Sequence, residues 1–277
     1  MIPGIVGVRN MVRKEVTVLL PIYIKWSKSL EQSLKAYIRS LAIDFSINRV
    51  HVLETTKRFT RLMIEGEDAN IMVKFLEKEL GKPMVWNEIK EEEEYKGRVI
   101  DVRDDGVLVD IGLIGDDYYR IKVPFEDFVR KIFRVKTNIP REIFDFFGIR
   151  KYFPLSVKVN FELELNERER IAWGLLGRST VKMLRSWFSK RFDRIVVYGA
   201  TRSQVEKAIR ESRHVIDILN VERLGFLEHI IICKWGTSAK GLIPEIGPFL
   251  PQAYMGVFMP RYVKKKIKEL SRVNSFQ

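Results

Sequence analysis

Gly97-Arg-Val99-Ile-Asp-Val102-Arg-Asp-Asp105-Gly106-Val107-Leu-Val109-Asp110-Ile111-Gly112 decides how the middle of the chain is read. Two short β-branched runs flank Asp105-Gly106, a dipeptide suited to a tight turn because glycine accepts positive φ at no steric cost. Val107, Val109 and Ile111 alternate with Leu108 and Asp110, the period-two pattern of a half-buried strand. The expectation is a β-hairpin.

The same stretch, as Gly-x-Val-x-x-Val-x-x-x-Gly-Val-x-Val-Asp-Ile-Gly, resembles the first two strands of the RNA-binding OB barrel named after ribosomal protein S-one. That resemblance implies a five-stranded barrel over 91–165, with bases stacking on aromatic side chains of its second and third strands. The chain departs from this pattern: the expected aromatic positions hold Asp105 or Leu108, and Pro124. Tyr118, Tyr119 and Phe125 lie close by as substitutes, with Arg120 and Lys122 as candidate cations.

Outward from the hairpin, apolar spacing divides the 277 residues into three segments. Segment 1–90 reads strand 16–24, helix 30–42, strand 50–54, strand 59–64, helix 69–80 and strand 84–86, with Ser27 or Ser29 capping the first helix. This βαββαβ order is the ferredoxin-like plan. Glu91 to Glu94 form an acidic linker. Within 91–165 the third strand is expected at 120–123, an insertion over 140–147, and two more strands at 156–161 and 162–165.

Segment 166–277 opens with a long helix over 167–190, capped by Asn166 and carrying Trp173, Leu176, Met183, Leu184 and Trp187 on its apolar stripe. Strand 194–198, helix 203–211 with a Ser203/Glu206 capping box, strands 215–223 and 227–234, helix 238–249 and strand 253–258 then repeat the βαββαβ order. The fold class expected is α+β, with two ferredoxin-like domains flanking an OB-like barrel.

The whole chain is also similar to an archaeal family of unknown function. The residues that suggest it are Val197-Tyr-Gly199-Ala-Thr-Arg202-Ser203, Val221-Glu-Arg223-Leu-Gly225-Phe-Leu-Glu228-His229 and Cys233-Lys-Trp-Gly236-Thr-Ser-Ala-Lys-Gly241-Leu-Ile-Pro244. That resemblance implies an archaeal, cytosolic origin and supplies no catalytic residues.

The net charge of +13 is unevenly spread: +5 over 1–90, −3 over 91–165 and +11 over 166–277. A clustered basic surface is the footprint of polyanion binding. Arg178, Lys182 and Arg185 are spaced to share one helix face and track phosphates. The turns Gly199-Ala-Thr201-Arg202-Ser203 and Gly236-Thr237-Ser238-Ala-Lys240-Gly241 each offer a helix N-terminus and a cation. Both turns are expected at one edge of the sheet, gripping RNA through Arg202 and Lys240. Lys264 to Lys266, with Arg261 and Lys268, form a basic tail.

Signals for chemistry are weak. His51, His214 and His229 sit in separate elements, and no Cys/His spacing suggests zinc. Gly174-Leu-Leu-Gly177-Arg-Ser-Thr180 lacks the lysine and spacing of a phosphate loop. Asp101, Asp104, Asp105 and Asp110 read as hairpin turn residues better than as metal ligands. Segment 227–234 lacks the paired aromatics of an RNA-recognition motif. Cys233, the single cysteine, lies in an apolar run and fits a reducing compartment. No apolar run approaches the roughly 20 residues that cross a bilayer, and the start lacks a charged signal-peptide region.

The expected function is therefore a non-enzymatic cytoplasmic RNA-binding protein, translation- or ribosome-associated, with no cofactor or metal and its contacts in the basic C-terminal third. The alternative is a protein–protein adaptor on the transcription or translation machinery, which the acidic, aromatic-poor barrel favours. A nuclease or RNA-modifying enzyme needs a site the sequence does not display.

Overall fold

The structure, a computed structural model, describes residues 11–91, 93–115, 119–165 and 170–273, with the side chains of 161–165 and 273 excepted. It divides into two compact units, Met1–Pro83 and Met84–Gln277.

In the first unit, β1 (Val12–Val18), α1 (Lys28–Leu41), β2 (Ile47–Thr55), β3 (Thr60–Gly66) and α2 (Ala69–Leu80) follow in order. The sheet is antiparallel with order β1-β3-β2. Ser27 caps α1, accepting the Leu30 amide at 3.1 Å. Val16, Val18, Leu62 and Ile64 of the sheet are buried, as are Leu34, Ile38, Met72 and Leu76 of the helices. The fourth strand expected at 84–86 is not in this sheet. Met84 instead makes a parallel bridge to Leu113 in the second unit, and Trp86–Glu88 form a 3-10 turn.

The second unit begins with a closed barrel. Its strands are β4 (Tyr95–Val102), β5 (Gly106–Asp110), β6 (Arg120–Pro124), β7 (Pro154–Leu165) and β8 (Arg170–Leu176), in the order β4-β5-β6-β8-β7. β6 and β8 run parallel and the other pairs antiparallel. The hairpin forms as expected, for a different reason at Gly106. Its φ is not positive; a Cβ there would lie 2.6 Å from the Val123 carbonyl oxygen. β5 is buried on both faces, Leu108 and Asp110 included, rather than half-buried.

Two helices, α3 (Phe125–Phe133) and α4 (Arg141–Phe144), lie between β6 and β7. The expected strands 156–161 and 162–165 are one strand, β7, with a register shift between Val159 and Leu163. The spacing that predicts one helix over 167–190 is divided between β8 and α5 (Arg178–Lys190). Asn166, its expected cap, lies outside the described residues. Glycine explains the break. A Cβ at Gly174 would lie 2.3 Å from Ile121 Cγ2, so the strand needs glycine there, and glycine is a poor helix-interior residue. Gly177 caps α5 with extended backbone.

The chain then builds β9 (Arg194–Tyr198), α6 (Arg202–Glu211), β10 (Ile218–Arg223), β11 (Glu228–Cys233), α7 (Ala239–Ile246) and β12 (Tyr254–Phe258). Their sheet is antiparallel with order β10-β11-β9-β12. Thr201 and Gln204, not Ser203 and Glu206, form the capping box of α6. The expected basic tail is an ordered helix, α8 (Pro260–Val273).

Both faces of this sheet are covered. Val196, Tyr198, Ile230, Ile232 and Phe258 join one continuous core with the barrel, α3, α5 and α8. Ile195, Val197, Ile231 and Cys233 pack with α6 and α7 on the other face. Tyr198 donates to the Gly148 carbonyl at 2.7 Å, and the Met259 amide donates to Phe146 at 3.0 Å, which ties the barrel insertion to the sheet.

Candidate nucleic-acid interface

The barrel candidates are mostly committed elsewhere. Lys122 pairs with Asp105 at 2.8 Å and lies 4.8 Å from the ring centroid of Trp173, its register partner on β8. Tyr119 is 8% exposed and its ring packs against Trp86 at 4.2 Å, tilted by 35°, so it is a core residue rather than an open stacking platform. Arg120 starts β6 opposite Ile171. Tyr118 lies outside the described residues.

On α5 the expected three-cation stripe is shortened. Arg185 donates from Nε to the Lys131 carbonyl at 2.8 Å and so serves the C-terminal turn of α3. Arg178 and Lys182 remain exposed, while the Arg178 amide donates to Glu94 at 2.6 Å. Trp187 is buried on this helix, but Trp173 belongs to β8.

The two strand-to-helix turns do not share an edge. β9 and β11 are antiparallel neighbours with Tyr198 opposite Glu228 and Arg194 opposite Ile232. Their C-terminal ends therefore point to opposite ends of the sheet, which separates Arg202 from Lys240. Arg202 is also held by Glu206 at 2.7 Å. Lys240 is exposed at the other end.

That second end carries a site the motifs alone do not reveal. After β11, the Cys233 amide donates to the Asp193 carbonyl at 3.0 Å and the chain reverses through Gly236, whose φ of 90° suits glycine. α7 then starts, its Ala239 amide donating to the Asp193 carboxylate at 3.4 Å. Three segments line a cleft of about 230 Å³: Arg191, Phe192 and Asp193 after α5, Lys234 to Ser238 after β11, and Met259, Arg261 and Tyr262 at the start of α8.

Trp235 stands in this cleft 66% exposed. The Arg261 guanidinium lies over its ring at 3.7 Å, and Phe192 meets it at 6.4 Å and 89°. A large indole held this way is ordered without being buried. Charge around it is mostly positive. Burial, and then Arg191, push the Lys264 ammonium below its usual pKa. Burial pushes the Asp193 carboxyl up, against its bond to Ala239 and the charges of Arg261 and Arg194. Among the described residues, Arg191, Lys234 and Lys264 make no ion pair. Among the described residues there is also no cluster of three or more His, Cys, Asp or Glu arranged to hold a metal ion.

Residues 192–258 match the model of the DUF2110 C-terminal domain. This is a family of unknown function, and the matched stretch runs from Phe192 through β12, including Asp193, Lys234 and Trp235. A search of curated proteins finds no match. The crystal structure of ttk003000868 from Thermus thermophilus is similar at 12% identity, over 91% of this chain and 43% of that one. The TM-score of that comparison is 0.17.

The residues missed are Trp235, Arg191 and Lys234, while Arg261 and Lys264, expected in a basic tail, lie on α8. One signal was available: Lys234-Trp235-Gly236 puts a large aromatic in a polar turn directly after an apolar strand.

Proposed function

We propose that this protein is a non-enzymatic RNA-binding protein, acting in translation or on the ribosome, whose phosphate contacts come from its basic C-terminal third. The observation that carries this reading is the set of open cations around exposed Trp235. Arg178 and Lys182 on α5 and Lys240 on α7 add exposed positive charge. Cations gain affinity for a polyanion by releasing its condensed counterions, independent of base sequence.

The barrel supports the same reading. Its order β4-β5-β6-β8-β7, with a parallel β6/β8 pair and α3 after the third strand, is that expected of an OB barrel. We read the C-terminal βαββαβ segment as ferredoxin-like. The test is fluorescence anisotropy of labelled structured RNA across a salt series. Affinity should fall linearly in a log–log plot, and no binding at low salt refutes the proposal.

A protein partner is the second reading. β10 is an edge strand; Leu219 on it and Val215 and Ile216 just before it are exposed apolar residues. Salt-insensitive co-purification with one protein, unaffected by RNase, would favour it.

A further inference from the structure

We infer that the Trp235 cleft holds an unpaired base, so that the RNA bound here is single-stranded or looped rather than continuous duplex. This rests on the RNA-binding reading and narrows it. Phosphate affinity alone needs only cations, and a lysine-rich surface would supply it. An indole 66% open to water is a different kind of group. It serves no core, yet it is fixed by Arg261 on its face and by Phe192 set perpendicular to it.

Base–aromatic stacking requires a flat apolar surface that is ordered before binding and open to a ring. The indole meets that need where the guanidinium leaves it uncovered, and the outer plane of the Arg261 guanidinium is itself a stacking surface for bases. In a duplex the bases stack on one another, so their faces are closed to the indole. Away from the ends of a helix, only an unpaired nucleotide offers one.

The surroundings fit the rest of a nucleotide. Arg191 and Lys234 line the same cleft, and Lys264 lies beyond its lining on α8, its ammonium pushed below its usual pKa by burial and then by Arg191. A phosphate between these cations would relieve that repulsion. The N-terminus of α7 is not the phosphate site, because the Asp193 carboxylate already accepts the Ala239 amide. Asp193, which lines the cleft, is then a hydrogen-bond acceptor suited to a base or ribose donor rather than to an anion.

The experiment compares binding of short oligouridylate and of a blunt RNA duplex to the full chain, with Trp235→Ala, Trp235→Phe and Arg261→Ala. Trp235→Ala should lower the ratio of oligouridylate to duplex affinity by about tenfold, the size of one lost base stack. Its salt slope should match wild type, since no charge is removed. Trp235→Phe should keep most of the ratio. Arg261→Ala should weaken both ligands and reduce the slope by about one. A Trp235→Ala ratio equal to that of wild type overturns the inference while leaving RNA binding intact. Failure of the wild-type chain to bind either RNA at low salt overturns the functional reading and this inference together.

Discussion

Arg98 on β4 and Glu228 on β11 form an ion pair at 2.8 Å with side chains 7% and 2% exposed, joining the barrel to the C-terminal sheet. Gly225 closes over it: a Cβ there would lie 2.1 Å from Glu228 Oε2 and 3.0 Å from Arg98 Nη1. Buried pairs gain little over apolar replacements, but losing one partner strands the other charge away from water. Glu228→Gln should therefore destabilise the second unit by about 3 kcal/mol, read from the urea midpoint. The double variant Arg98→Met/Glu228→Met should cost less than the two single changes added together. Additive single costs would show that the pair is not coupled.

A second joint lies where backbone meets backbone. A Cβ at Gly256 would sit 2.6 Å from the Gly148 carbonyl oxygen, and Gly148 itself has a φ of 70°. Neither main chain can yield without disturbing the Tyr198–Gly148 hydrogen bond. Gly256→Ala should lower stability by about 1–3 kcal/mol, the range of overpacked sites. Wild-type thermal stability in this variant would mean that the barrel insertion can shift freely.

His229 sets a pH dependence. It is fully buried on β11, and burial, then Arg223 and Arg202, push its pKa down to about 3. Its unfolded-state pKa is about 6.5, so between these values the unfolded chain binds a proton that the folded one rejects. The contribution is complete above about pH 6.5 and is lost as pH falls toward 3, with a limiting slope of about 1.4 kcal/mol per pH unit. His229→Leu should flatten the fall in urea midpoint between neutral and acid pH. An unchanged profile would place the acid sensitivity elsewhere.

Cys233 is buried and its thiol is pushed up to about 12, first by burial and then by the Asp193 charge. The thiolate is the reactive form. Maleimide should label the native protein very slowly and the urea-unfolded protein at once. Rapid native labelling would mean that α7 lifts readily from the sheet.

Local patterns were legible where neighbours in sequence are also neighbours in space. The hairpin from Gly97 to Gly112 and the elements from Arg194 to Phe258 form close to where apolar spacing places them. Even so, β5 is buried on both faces, Gly106 is needed for close approach rather than positive φ, and Thr201 with Gln204 caps α6. The expected helix over 167–190 went astray because Trp173 and Leu176 fall in register with Leu184 and Trp187, although Gly174 and Gly177 already argue for a break. α3 was hidden in a short Phe-rich stretch whose buried Asp127 is accounted for by Lys131 and by the Leu176 amide, partners supplied by the fold.

The site was less legible, because a charge on a helix says nothing of what faces it. Arg185 and Arg202 have the same spacing signals as Lys182 and Lys240, yet a carbonyl and a carboxylate engage them. Trp235, Arg191 and Arg261 lie far apart in sequence and meet because β9 and β11 run antiparallel, bringing the end of one beside the start of the other.

The proposal that open cations around Trp235 hold RNA phosphates can be tested directly. Its most direct measurement is the salt dependence of RNA affinity for wild type and for Arg191→Gln/Lys234→Gln, both changes being at exposed or cleft-lining positions. Wild type should show a linear log–log fall, and the variant a slope shallower by about two with uniformly weaker binding. Identical slopes, or no RNA binding by wild type at low salt, would contradict it.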